Sequence, residues 1–292
     1  MPECHILTDD TGKELSKHGT RLFPLASYID DPVIDPVAWH WHEEFEVGII
    51  TEGSVLIEAP NKKIDMQAGD GFFIGSEVLH SAVHGAITPC KLHSIVFQHS
   101  IVSGSRDSAF YQQYVKPILT NSAYHFIHLQ HDLHSNELKH IQNAWHIDHE
   151  KQPGFEIRVR NELSELFFAL INLSLCNNEM STSEKKEVFR LKHMLSYIEL
   201  HYSEPISLSM LAHCANISDS EVLRVFRKVM NTTPVKYLTQ YRIQQATCFL
   251  TQTDLQISEI CSLCGFQDIS YFTKIFREIK GIPPAKFRKS LS

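Results

Sequence analysis

The chain has 292 residues, long enough for two domains and a connector, and its 43% hydrophobic content excludes a disordered chain. No run reaches the ~18 apolar residues of a membrane-spanning helix, and Met1-Pro2-Glu3-Cys4-His5 lacks the basic and apolar regions of a signal peptide. The net charge of −7 hides an asymmetry: residues 186–292 carry 14 Lys+Arg against 9 Asp+Glu, the rest 13 against 25, so the basic end is the one that attracts a phosphate backbone. Seven cysteines without regular spacing fit a reduced, cytoplasmic interior.

Residues 20–100 read as short strands. Phe45–Ile50, Ser54–Glu58 and His93–Phe97 are rich in Val, Ile and Phe. Glu52-Gly53, Ala59-Pro60-Asn61, Ala68-Gly69-Asp70-Gly71 and Thr88-Pro89 separate such runs as turns. This spacing predicts an all-β sandwich or barrel. Within it, Trp39-His40-Trp41-His42 leads to Glu46 and Gly53, an H-x-H-x₃-E-x₆-G pattern, and Gly69-Asp70 leads to His80. The segment resembles the two motifs of the cupin barrel, a jelly roll, although the usual proline and glycine before His80 are missing. His40 and His42 share a strand face by the period-two rule. Three imidazoles and one carboxylate can bind a divalent transition metal. The expected role is a ligand pocket lined by Trp39, His40, Trp41, His42, Glu46 and His80, whose polar groups and aromatic wall suit a carbohydrate. No resident cofactor or metal is assigned, and a metal-dependent cupin enzyme stands as the alternative.

Residues 108–176 change character. Leu138, Ile141 and Trp145 recur at helical spacing within 136–149. From Phe155 to Leu175, Ile157, Leu163, Leu166, Phe167, Leu170, Ile171 and Leu175 form an apolar stripe wide enough for two packing partners. The segment is expected to hold two subunits together. His125, His128, His131 and His134, three apart, fit no clean helix and read as exposed. Residues 177–187 read as a linker.

The last hundred residues contain a repeat. Leu211 and Ile260 lie 49 apart, Phe226 and Phe276 50 apart, with the extra residue in the turn of the second copy. Each copy is a short helix, a turn and a basic amphipathic helix, the build of a helix-turn-helix. Ser218 and Asp268 are the expected N-caps. Val222, Val225, Phe226 and Val229 should face inward, as should Phe272, Ile275, Phe276 and Ile279. Ser220, Leu223, Arg224, Arg227 and Lys228 then face out, with Ile269, Ser270, Thr273, Lys274 and Arg277. Arg224 and Lys274 are placed to reach guanine, and Leu223 and Ile269 to meet thymine methyls. Arg227, Lys228, Lys236, Arg277 and Arg288 suit phosphates. A helix from Pro234 to about residue 251 should join the copies. Cys261 and Cys264 form a C-x-x-C without a second pair, and read as small buried residues.

Residues 188–292 resemble the AraC/XylS family of transcription regulators. The matching set includes Leu208, Leu211-Ala212, Ser218, Arg224, Phe226, Pro234, Tyr237-Leu238, Arg242-Ile243, Ala246, Ile257, Glu259-Ile260, Gly265-Phe266, Asp268, Tyr271-Phe272, Phe276 and Pro284. Asn216 stands where glycine is usual, and Cys261 where alanine is. The resemblance implies a seven-helix domain with two helix-turn-helix units. The expected architecture is a cupin-like effector-binding barrel over 1–107, a helical dimerisation segment over 108–176, a linker over 177–187 and an all-α DNA-binding domain over 188–292. The expected function is a cytoplasmic homodimeric regulator, an activator, that binds double-stranded DNA, RNA polymerase and a small effector, a sugar or derivative, and no membrane. A ligand-independent regulator is a third reading.

Overall fold

Alternation along one strand organises the N-terminal half. In Phe45-Glu46-Val47-Gly48-Ile49-Ile50, the odd positions face one side of a sheet and the even positions the other, as a pleated strand requires. Phe45 and Val47 enter one apolar core and Ile50 a second. The computed structural model describes residues 13–34, 36–173 and 181–290. Among the described residues the chain divides into two units, one within residues 16–185 and one of residues 186–290 with 13–15.

The first unit contains nine strands among the described residues: β1 (Leu25–Asp30), β2 (Val37–His40), β3 (Phe45–Glu52), β4 (Ser54–Ala59), β5 (Lys62–Gln67), β6 (Gly71–Ile74), β7 (His80–His84), β8 (Lys91–Phe97) and β9 (Phe126–Leu129). They form two antiparallel sheets, ordered β1-β8-β3-β6-β9 and β2-β7-β4-β5. Ile50, Ile57, Met66, Phe72, Ile74 and Leu92 fill one core. The turns fall where the sequence places them: Gly53, Asn61 and Gly69 all take positive φ. β9 was not legible as a strand. It pairs with β6 and carries His128, whose Nε2 lies 3.1 Å from Asp70 Oδ2. The barrel therefore draws on residues expected to belong to the helical segment.

Short helices α1 (Ser100–Ser103) and α2 (Lys116–Thr120), with a π-helical turn at Tyr111–Val115, lead toward α3 (Ser135–Glu150) and α4 (Phe155–Asn172). These two pack on the five-stranded sheet. Phe167 of α4 sits among Phe45, Phe73 and Phe97, ring centroids 5.2–6.0 Å away. Trp145 of α3 stacks between His93 and His149 and donates its indole N–H to the Tyr28 carbonyl at 3.0 Å. The apolar stripe of α4 is wider than this contact uses. Leu163, Leu166, Phe167 and Leu170 are buried, whereas Ile157 and Phe168 are exposed. Leu175 lies outside the described residues.

The second unit holds seven helices among the described residues: α5 (Thr182–His201), α6 (Leu208–Cys214), α7 (Asp219–Met230), α8 (Pro234–Gln252), α9 (Ile257–Leu263), α10 (Ile269–Lys280) and α11 (Pro284–Ser290). Helix α5 already runs through 182–187, which the sequence assigns to a linker; 177–180 lie outside the described residues.

Gly48 faces the barrel interior, and a Cβ there would lie 2.6 Å from the Phe72 ring and 3.0 Å from Leu92. Gly48→Ala is expected to destabilise the barrel by about 1–3 kcal/mol through overpacking. A lower urea midpoint at unchanged slope would register it.

Candidate functional sites

In the barrel, β2 and β7 bring His40 opposite His80 in register. Glu46 comes from β3 of the other sheet. His42 lies on the connection between β2 and β3, which is pinned to the one before β7: Glu77 donates its N–H to the His42 carbonyl at 2.8 Å, and Ser76 its hydroxyl to the Glu43 carbonyl at 2.6 Å. One donor atom from each of His40, His42, Glu46 and His80 lies within 4.8 Å of the others. The three imidazoles are only 2–3% exposed.

All three rings are oriented alike. Nδ1 of His40 contacts the Ala38 carbonyl at 2.9 Å, that of His42 the Glu44 carbonyl at 3.1 Å, and that of His80 the Val78 carbonyl at 2.8 Å. A carbonyl only accepts, so each Nδ1 carries a proton and Nε2 turns toward the cluster. His80 Nε2 stands 2.9 Å and His42 Nε2 3.5 Å from the same Glu46 oxygen. Burial pushes the Glu46 pKa up, but His42 and His80 outweigh it and hold the carboxyl well below the usual range. His42 Nε2 is buried without a hydrogen-bond partner.

Trp39 is buried and Trp41 half-buried. Trp39 precedes His40 on β2, so the strand period points it to the other side, whereas Trp41 and His42 lie beyond the end of that strand. The aromatic wall expected beside the histidines does not follow from this geometry. Sequence reasoning missed His18, which is buried, contacts the Tyr28 hydroxyl through Nδ1 at 2.8 Å and lies edge-on to His42 at 5.6 Å. A lone histidine upstream of the first strand carries no signal of such a position.

The helical unit contains the repeat in three dimensions. Ser218 and Asp268 accept hydrogen bonds from the N–H groups of Glu221 and Tyr271, at 3.3 and 2.6 Å. Thr233 caps α8, whose first residue is Pro234. The turn after α6 uses Asn216 at φ +53°, and that after α9 uses Gly265 at φ +75°. Only glycine fits the second, because a Cβ there would lie 2.8 Å from the Tyr202 and Ser203 carbonyls. The extra residue falls between Gly265 and Asp268, as the offsets require. Cys261 and Cys264 are buried in this core, and burial pushes the Cys264 thiol up to about 12.

Val222, Val225, Phe226, Val229, Phe272 and Phe276 are buried as expected. Ile275 is half-buried and Ile279 exposed, so the inward face of α10 is shorter than its spacing suggests. Ser220, Arg224, Arg227, Lys228 and Lys236 are exposed, and Leu223 and Arg288 half-buried. Ile269, Ser270, Thr273, Lys274 and Arg277 line one concavity together with Pro283.

Arg224 and Lys274 occupy equivalent positions in unequal surroundings. Arg224 forks onto Glu221, with Nε–Oε2 3.1 Å and Nη2–Oε1 2.6 Å, and reaches Glu187 of α5 through Nη1 at 2.7 Å. Lys228 contacts the other Glu187 oxygen at 2.7 Å. Burial opposes the Glu187 charge, but Lys228 and Arg224 hold its pKa below the ordinary value. Lys274 is 66% exposed and only loosely paired, 3.9 Å from Glu278. Glu187 gave no signal in the sequence, since its partners lie 37 and 41 positions away and no local rule joins them.

Glu187→Gln should release Lys228 toward phosphate and loosen Arg224, which Glu221 still holds. DNA affinity at low salt should rise, and the slope of log affinity against log salt should steepen by about 1. Fluorescence anisotropy across a salt series measures both.

Comparison with known proteins follows this division. A family model described as an AraC-like ligand binding domain matches residues 35–191, and a helix-turn-helix domain matches residues 211–290. The HTH-type transcriptional regulator YdeC of Bacillus subtilis (strain 168) is 29% identical over 98% of both chains. The HTH-type transcriptional activator RhaR of Salmonella schwarzengrund is 24% identical over 87% of this chain and 88% of its own. The crystal structure of ToxT from Vibrio cholerae O395 aligns with 92% of this chain and 94% of its own, at 9% identity and a TM-score of 0.47.

Proposed function

We propose a function on the premise that the chain belongs to the family of transcription regulators with an AraC-like ligand binding domain and a C-terminal helix-turn-helix domain. The proposal is that α7 and α10 enter successive major grooves of double-stranded DNA, and that a small effector held in the barrel sets how firmly they do so. The observation that carries it is the duplicated, separately capped pair of helices with exposed polar and basic faces. Helix α8, about 28 Å long at ~1.5 Å per residue, spaces them on the scale of one DNA turn, ~34 Å.

On this reading Ser270, Thr273, Lys274 and Ile269 read bases beside Ser220, Leu223 and Arg224. Arg227, Lys228, Lys236, Arg277 and Arg288 hold phosphates. Arg224 reads a base once DNA competes for its guanidinium against Glu221 and Glu187. The polar lining of His40, His42, Glu46 and His80 supports a hydroxyl-rich effector, a carbohydrate or derivative. An activator that contacts RNA polymerase in the cytoplasm is supported by the likeness to a protein named an activator. A homodimer is supported by Ile157 and Phe168, exposed and three turns apart on α4. Effector control requires that the effector bind the DNA-competent and incompetent states unequally. The relatives are named as regulators, which favours binding over catalysis.

Lys274→Ala is expected to relax preference at one base position by 10- to 100-fold, about 1–3 kcal/mol. Arg277→Ala should weaken matched and mismatched sites alike and lower the salt slope by about one. Competition binding on the chain's own upstream DNA, with sugars titrated in, distinguishes them. Equal losses on matched and mismatched sites for Lys274→Ala would overturn its base-reading role.

A further inference from the structure

We infer that α3 is fastened to the five-stranded sheet by a pH-sensitive clasp, the stack of His93, Trp145 and His149, and that mildly acid pH opens it. The geometry carries the inference. The Trp145 indole lies parallel to His93 of β8, with centroids 3.7 Å apart, and to His149 one turn along α3, at 4.7 Å, each at 12°. Its N–H is tied to the Tyr28 carbonyl of β1 and the ring is buried, so the indole is held in place from two strands. His93 is half-buried against it, and its register partners on β1 and β3 are Ile29 and Ile49. Elsewhere in the first unit, carboxylates hold the imidazoles of His128 and His140, Asp70 at 3.1 Å and Glu162 at 2.7 Å. Among the described residues no carboxylate pairs with His93, His146 or His149.

The charged groups around the stack are alike in sign or otherwise engaged. On α3, His146 lies edge-on to the indole at 5.3 Å, Asp148 accepts the Ser27 hydroxyl at 2.6 Å, and Glu150 is exposed at the helix end. On β8, Lys91 lies 3.6 Å from Glu52. On β1, Asp30 is turned to Ser94, which alternates with His93, and on α4 Glu162 holds His140. Burial, then His146, His149 and Lys91, hold the His93 pKa below its ordinary value. A ring released from the clasp therefore takes a proton before the stacked one does. The clasp is whole above the ordinary imidazole value of 6.5, and its contribution is lost as the pH falls below it. An imidazolium over indole gains a cation–π attraction, but His93 would carry its charge partly out of water and close to His149. All but His193, His201 and His213 of the 18 histidines precede residue 150, so acid acts chiefly on the first unit. Opening frees the end of α3, the helix against which α4 packs, and so links acidity to the α4 face proposed for a second copy. The inference goes beyond the regulator reading, since the clasp can fail while DNA binding stands.

The test follows the indole N–H resonances of the three tryptophans in the full chain from about pH 8 to about pH 5, with Trp145→Phe assigning one of them. The Trp145 resonance is expected to shift and broaden below about pH 6.5 as its bond to Tyr28 is lost, and the first unit to unfold at lower temperature there. His93→Phe keeps a stacked ring without a proton site and should remove roughly 2–4 °C of that fall. His149→Phe, at an exposed position, should remove part of it as well, and carries the comparison if His93→Phe fails to fold. A Trp145 resonance that stays constant across the range overturns the inference. An acid response undiminished in both variants also overturns it, and would place the response on another histidine such as His99, whose charging burial and Arg106 oppose. A rise of the unfolding temperature in acid that His93→Phe abolishes reverses the sign and overturns it too.

Discussion

The two faces of β3 hold the first unit together. One strand supplies Phe45 and Val47 to the core under α3 and α4, and Glu46, Gly48 and Ile50 to the barrel interior. A shift of one residue would exchange the faces, putting a carboxylate under Phe167 and a phenyl ring among the histidines. The hydrophobic demand on one face therefore fixes the position of the one acidic member of the histidine cluster. Gly48 is the visible cost, since the Phe72 ring occupies the space a side chain would need.

The helical unit follows a different logic. There the constraint is local: a polar cap, a left-handed turn residue and a three-to-four residue apolar repeat, used twice. Ser218 and Asp268 do the same work with different chemistry, as do Asn216 and Gly265. This is why the repeat survives in the sequence while its outer faces diverge. Packing fixes the inner residues, and the outer ones are left to whatever they meet.

That difference explains what could be read in advance. The caps of α7 and α10, the span of α8 and the buried face of α7 were legible because each depends on neighbours within four positions, whereas on α10 only Phe272 and Phe276 of the expected inward face are buried. His40, His42, Glu46 and His80 were legible because a strand period and a spaced motif mark them. The remainder depends on distant pairing. β9 is four residues long and becomes a strand only beside β6. His18 reaches His42 through the fold. The carboxylate of Glu187 takes Arg224 and Lys228 from another helix, so equivalence in the repeat did not mean equivalence in environment. Trp39, adjacent to His40 in sequence, is turned from it by the alternation of β2.

The longer second turn, Gly265-Phe266-Gln267-Asp268, has a consequence for any DNA this chain recognises. A symmetric dimer of identical readers meets a palindrome and cannot distinguish its two ends. On the proposed mode of DNA binding, one chain with two unlike readers, one with its arginine held by carboxylates and the other with an exposed lysine beside an isoleucine, meets a sequence with a left and a right. The recognised element then has polarity, and inverting it relative to a promoter presents the opposite face of the protein to whatever binds next.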